Sequence, residues 1–257
     1  MWDKGIRFTI QKLLLSLTAL CCLAPVVYLL YSSLRGGEDF SLRQYEEILL
    51  NTKEFYAWFW NSFGYTLTIL LFGIPISILA AYGFSMYRFP GRDGLFFLYI
   101  ILMLLPFQAT AVAQYLTIRA LHILDTGWAV ILPCGYSAFG AFLLTQFMRG
   151  IDPELLEAAR IDGAGCLRTL WHLVLPLCRP AVVSLFILQL ISCWSMVDQP
   201  LLFLRGEQLL PLSLKLDSQS FGTSVFAAGV IYAIPPLLAY LACQDALEQG
   251  ISLSSMK

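Results

Sequence analysis

The chain has 257 residues, of which 58% are hydrophobic and 13% charged, with a formal net charge of −1. Soluble domains average about 25% charged residues, so a fold this apolar has too little polar surface to cover itself in water. Near-neutral and without a basic patch, the chain gives no footing for nucleic-acid binding and reads as an all-α integral membrane protein.

A membrane-crossing helix needs ~20 mostly apolar residues. Six such runs are present, at about 13–31, 62–84, 95–116, 128–147, 181–203 and 221–243. The first follows Lys4, Arg7 and Lys12. Pro25-Val26-Val27-Tyr28 is a poor cleavage context, so this run is expected to stay as an anchor rather than leave as a signal peptide. The connection 32–61 holds a charged amphipathic piece, and its Tyr56, Trp58 and Trp60 suit an interfacial aromatic belt. Between the second and third runs, Arg88-Phe89-Pro90-Gly91-Arg92 forces a reversal. No connection has room for a soluble domain, so one transmembrane domain over 1–257 is expected.

The basic residues give an orientation. With the N-terminus inside, the cytoplasmic segments hold Lys4, Arg7, Lys12, Arg88, Arg92, Arg149, Arg160, Arg168, Arg179 and Lys257, ten of the sixteen Lys and Arg. Arg35, Arg43, Lys53, Arg119, Arg205 and Lys215 fall on the other side. The positive-inside rule therefore predicts both termini in the cytoplasm.

That topology puts segment 148–180 in the cytoplasm. Asp152 suits an N-cap, and Pro153 suits the first helical position, where a missing N–H is harmless. Glu154 and Glu157 lie near the positive end of the helix dipole. Leu155, Ala158, Ala159 and Asp162 share one face, and the two alanines let another surface approach closely. Gly163 and Gly165 permit a turn through positive φ. Leu175-Pro176 and Arg179-Pro180 are expected to end a second short helix before the next apolar run.

These residues carry a family resemblance. Glu157-Ala158-Ala159, three residues, Gly163, nine residues, Leu173, one residue and Leu175-Pro176 resemble the EAA loop of ABC-importer permease subunits. Leu173 stands where the family usually has isoleucine, and Asp162-Gly163-Ala164 is similar to the carbohydrate, maltose-type branch. Pro106-Phe107-Gln108 resembles the family's proline kink. The tail 244–257, with Gly250, resembles its C-terminal segment.

The resemblance implies a type I permease fold of six helices whose cytoplasmic loop is a coupling helix. It implies that Glu157, Ala158, Ala159, Asp162, Gly163, Ala164 and Pro176 meet a separate ATPase. The chain itself has no G-x-x-x-x-G-K-[ST] phosphate loop, so no cofactor is expected on it, and ATP with Mg belongs to the partner. The implied partners are a second permease (non-identical rather than identical), two cytoplasmic ATPases, an extracytoplasmic solute-binding protein and membrane lipid. The implied solute is a sugar or oligosaccharide. A polyamine, a phosphorylated polyol or, more remotely, ion-coupled transport are the alternatives.

Polar residues inside spans are costly and tend to face a partner helix or a water-filled path. Gln108, Gln114, Gln189, Ser192 and Asp198 are the candidates for a substrate path. Gln189, Ser192, Cys193 and Met196 recur at i, i+3, i+4 and i+7, one face of a continuous helix. Asp198 departs from the family's Trp-Asn pattern. Placed ~26 Å along a helix at 1.5 Å per residue, it would lie near the outer interface, facing a loop, a docked binding protein or a cationic or polyhydroxy solute. Interhelical hydrogen bonding is the competing role for each of these side chains. The seven cysteines scatter through apolar runs without zinc or redox spacing. His122 and His172 fall on opposite sides, which excludes a shared metal site.

Overall fold

The structure, a computed structural model, describes residues 2–35 and 40–255, with side chains over 11–35, 40–217 and 220–245. Lys257, counted among the cytoplasmic cations, and the end of the tail lie outside the described residues. The chain divides into two compact units: 1–56 with 215–234, and 57–214 with 235–257.

The first unit contains α1 (Trp2–Ser33), whose apolar window from Gln11 has no buried share, as expected of a helix facing lipid. Its end is tied to the short helix α2 (Arg43–Glu46), which continues as a π-turn over Glu47–Asn51. Gln44 Nε2 donates to Ser32 O and to Arg35 O, both at 2.8 Å, and the Ser33 and Tyr45 hydroxyls pair at 2.8 Å. Glu47 accepts from Ser224 Oγ at 2.6 Å, and Phe55 meets Phe221 edge-on.

The second unit is a helical bundle. The long helix α3 (Lys53–Met86) enters it at residue 57. The reversal expected at 88–92 is present: Gly91 adopts φ +83°, and Arg92 opens α4 (Arg92–Leu104). Next, α5 (Phe107–Ala120) leaves α4 at 100°. Leu105 takes the extended conformation that a following proline imposes. The expected kink at Pro106 is thus a full corner, and the run 95–116 is not one rod.

The run 128–147 falls within the helical stretch Gly127–Met148, which pauses between α6 (Gly127–Cys134) and α7 (Ala138–Met148). Beyond the elbow, α8 (Pro153–Ile161), α9 (Cys166–Thr169) and α10 (Leu175–Leu177) precede α11 (Arg179–Trp194). A π-turn over Leu170–Val174 joins α9 to α10.

The run 181–203 also breaks. Its first part, α11, stops at Trp194, and Asp198 starts a new short helix, α12 (Asp198–Phe203). Pro200 supplies the reason. It has no N–H to give Met196 O, the partner four residues back, and Ser213 Oγ takes that carbonyl instead, at 2.6 Å. Met196 is therefore not on the helical face of Gln189, and Asp198 is not reached by an unbroken helical rise. The last long helix, α13 (Val225–Ser255), carries Pro235 and Pro236 inside it.

By length and composition, four stretches among the described residues can each cross a membrane: Gln11–Ser33, Lys53–Met86, Gly127–Met148 and Gly222–Asp245. Two bent pairs add to them, Arg92–Leu104 with Phe107–Ala120 and Cys166–Leu177 with Arg179–Trp194.

At its elbow end, the second unit is centred on a core in which Ala81, Leu144, Met148, Leu170, Val174, Ala181 and Leu185 are each at most 2% exposed. Elsewhere in this unit, one face of α3 grips the loop after α12. Trp58 Nε1 donates to Glu207 O (3.0 Å), Asn61 Nδ2 to Gln208 O (2.7 Å) and Tyr65 OH to Leu209 O (2.8 Å). Ser62 Oγ accepts from Leu212 N at 2.8 Å. The spacing 58, 61, 62, 65 is one stripe of a helix.

Candidate functional site: a coupling elbow and a polar cavity

The elbow is built by local signals. Asp152 Oδ1 accepts from Glu154 N at 3.0 Å, and Pro153 takes the first helical turn, as expected. Gly163 has φ +75°, a conformation that costs other residues about 1–2 kcal/mol. Gly165, by contrast, has φ −70° and serves as an ordinary N-cap for α9. The second short helix ends as expected: the helical stretch Cys166–Leu177 stops between the two prolines, and the chain bends there at Cys178, by 78°, with Pro180 in the first turn of α11. Proline is tolerated at such positions because the first N–H groups of a helix have no intrahelical partner.

Between α8 and the following helix runs a groove of about 380 Å³. Leu155, Ala158, Ala159, Asp162 and Ala164 line one side, and Arg168, His172 and Leu173 the other. Of the coupling residues expected, Glu157, Gly163 and Pro176 are not in its walls. Glu157 is exposed, and among the described residues neither ion pair includes it. Ile161, 86% exposed, and Trp171, 65%, project from the same elbow. Behind it, Tyr82 OH donates to Cys166 O at 3.3 Å. A hydrogen bond with the Cys166 thiol, and burial after it, hold the Tyr87 phenol above its ordinary pKa.

The second feature of this unit is a cavity of about 690 Å³. It brings together Gln114, Gln189, Ser192 and Asp198 from the expected substrate path, with Cys193 and Met196 beside them. Gln108 is not among its lining residues and is exposed in the first turn of α5. Gln189 is 8% exposed, and neither atom of its amide meets a protein partner. Gln114 donates to Thr110 Oγ1 at 2.8 Å, while its own carbonyl stays unpartnered. Buried polar groups are almost always satisfied, so the Gln189 amide and the Gln114 carbonyl stand out as unpaired polar atoms behind the cavity wall.

Sequence reasoning missed the wall formed by Cys134, Tyr136 and Ser137. The available signal was Pro133 followed by Gly135, which opens α6 from α7. It also missed Gly73, where a Cβ would stand 2.5 Å from Gln189 Nε2.

A third arrangement fixes the loop beside α12. Asp125, at φ +58°, accepts at Oδ1 from Arg205 N (2.8 Å) and Gly206 N (2.9 Å). The Gly206 bond first, and the Arg205 bond second, lower the pKa of this carboxyl.

A bent helical bundle with several helices long and apolar enough to cross a membrane defines a polytopic membrane protein. Residues 73–253 match the family described as binding-protein-dependent transport system inner membrane component. The chain belongs to that family and is a permease subunit of an ABC transport system. It is 32% identical over 208 residues to the sn-glycerol-3-phosphate transport system permease protein UgpE of Yersinia enterocolitica, covering 78% of this chain and 74% of that protein. It is 26% identical over 274 residues to the arabinooligosaccharides transport system permease protein AraQ of Bacillus subtilis, covering 98% of each. Among solved structures, a bacterial ABC transporter involved in the import of the acidic polysaccharide alginate matches with a TM-score of 0.85 and 25% identity. That match covers 95% of this chain and 98% of the other.

Proposed function

We propose that this chain is the membrane half of an importer for a sugar or oligosaccharide, powered through the elbow by ATPases on other chains. In this reading each bent pair counts as one span, giving six, and 1–257 works as one permease domain with both termini in the cytoplasm. ATP and Mg stay on two partner ATPases. A second, non-identical permease completes the pathway, and an external binding protein delivers the solute.

The observation that carries the reading is the open groove along Ala158, Ala159, Asp162 and Ala164. Two adjacent alanines leave the backbone approachable, and the exposed Ile161 supplies apolar area for a docking surface. Closure of the ATPases would pull α8, and the core packing of Leu170 and Val174 against Leu144 and Leu185 would carry that motion into α7 and α11. Gln114, Gln189, Ser192 and Asp198 would line the solute path, with Glu157 and Gly163 setting the elbow's contacts and turn.

The likeness to AraQ supports an oligosaccharide. The likeness to UgpE supports a phosphorylated polyol as the second reading.

The test is Ala159→Trp, which fills the groove. The purified complex should lose its ATPase subunits or its solute-stimulated ATP hydrolysis, while the permease pair still assembles. Wild-type assembly and stimulation in that variant would sink the coupling role.

A further inference from the structure

The 690 Å³ cavity carries a charge pattern that bears on which solute passes it. Asp198 is the one charged side chain among its lining residues; no lysine, arginine or histidine lines it. Neither of the two ion pairs among the described residues involves Asp198. The other polar groups are uncharged: the amides of Gln114, Gln189 and Gln199 and the hydroxyls of Ser137 and Ser192. Gln189, more than nine-tenths buried, carries an amide without a protein partner just behind the cavity wall.

An amide offers two donors and an acceptor, the complement of a hydroxyl, which both gives and takes a hydrogen bond. A carboxylate takes hydrogen bonds from hydroxyls and takes them more strongly from an ammonium. It repels a phosphate or a second carboxylate, and a cleft walled by protein screens that repulsion less than bulk water does.

We propose that this cavity selects a polyhydroxylated solute that is uncharged or bears an ammonium group, and rejects anionic ones, with Asp198 as the discriminating residue. The proposal rests on the reading that the cavity lies on the solute path. It separates this chain from relatives named for sn-glycerol-3-phosphate and for an acidic polysaccharide, because no cation is among the residues lining this cavity to meet such solutes.

The experiment uses the whole importer in membrane vesicles with Ser192→Cys, at an exposed wall position of the cavity. Two methanethiosulfonate reagents of similar size serve as probes, one ending in an ammonium and one in a sulfonate. Labelling at position 192 is followed by peptide mass spectrometry, and each rate is divided by that of the same reagent with free cysteine. The cationic reagent should be favoured by roughly fivefold or more, the scale set by one unit charge nearby in a partly hydrated cleft. Adding Asp198→Asn should erase that preference. Trapping the ATPases with ATP and vanadate should change both rates together.

Two outcomes overturn the proposal, and they differ. If the rates respond to trapped nucleotide but the reagents are not distinguished, or Asp198→Asn changes nothing, charge selection fails and the path stands. If trapping leaves both rates unchanged, the cavity is off the path and the proposal falls with that reading.

Discussion

Gln189 owes its position to Gly73. A methyl group at residue 73 would stand 2.5 Å from the Gln189 amide nitrogen and 3.2 Å from Gly135 O. The first of these distances is closer than real Cβ contacts come, and the other neighbour is backbone, which yields little. Gly73→Ala should therefore push the Gln189 side chain out of place without removing it. Solute-stimulated ATP hydrolysis of the reconstituted importer should fall, and Gly73→Ala with Gln189→Ala should be no worse than Gln189→Ala alone. A strictly additive loss would show that position 73 acts through something else.

The two glycines of the elbow should behave oppositely. Neither has any atom within 4 Å of the place a Cβ would occupy. Only Gly163 has positive φ, so Gly163→Ala should cost about 1–2 kcal/mol locally and weaken coupling. Gly165→Ala, at φ −70°, should leave coupling intact. Solute-stimulated against basal ATP hydrolysis reads both, and equal effects would mean that backbone conformation is not what the elbow needs.

Asp152→Ala removes the side chain that holds Glu154 N. The loss of a helix N-cap costs about 1 kcal/mol, enough to fray α8 while the bundle stays folded. Hydrogen exchange should speed up at the first amides of α8 and not in α11.

Asp125 gives a pH dependence with a defined sign. Hydrogen bonds from Gly206 and Arg205 lower its folded pKa beneath the unfolded value, about 3.9 for aspartate. Its contribution is therefore fully present above the unfolded pKa and is lost as pH falls through the folded one. Thermal unfolding in detergent should show Asp125→Asn, which tolerates the positive φ but lacks the carboxylate, melting below wild type near neutral pH, and the two curves converging in acid. A gap that widens in acid would contradict the bonding seen.

How much of this was legible in the sequence differs from place to place. The Asp152 cap, Pro153 and the turn at Gly163 are dictated by residues within one helical turn of each other, so the elbow could be read directly. Gly91 was legible for the same reason. The corner at Pro106 and the stop after Trp194 were not, because an apolar run reports length and lipid exposure but not direction. Met196 appeared to continue the Gln189 face only because periodicity assumes an unbroken helix. Its carbonyl is in fact held by Ser213, seventeen residues away. The cavity itself depends on Gln114 of α5, Gln189 of α11 and Tyr136 of the link between α6 and α7 coming together, and no local pattern encodes that.

The stripe of Trp58, Asn61, Ser62 and Tyr65 holds the loop after α12 by its main chain: four carbonyl oxygens in succession and one amide. Bonds of this kind are indifferent to which side chain the held residue bears. Exposed positions such as Gln208 can change identity while the path of the loop stays the same. The surface this loop presents can therefore be rewritten to suit a new neighbour without refolding the helices beneath it. Changes to α3 at those four residues would have the reverse effect, altering the loop's shape while leaving its sequence untouched.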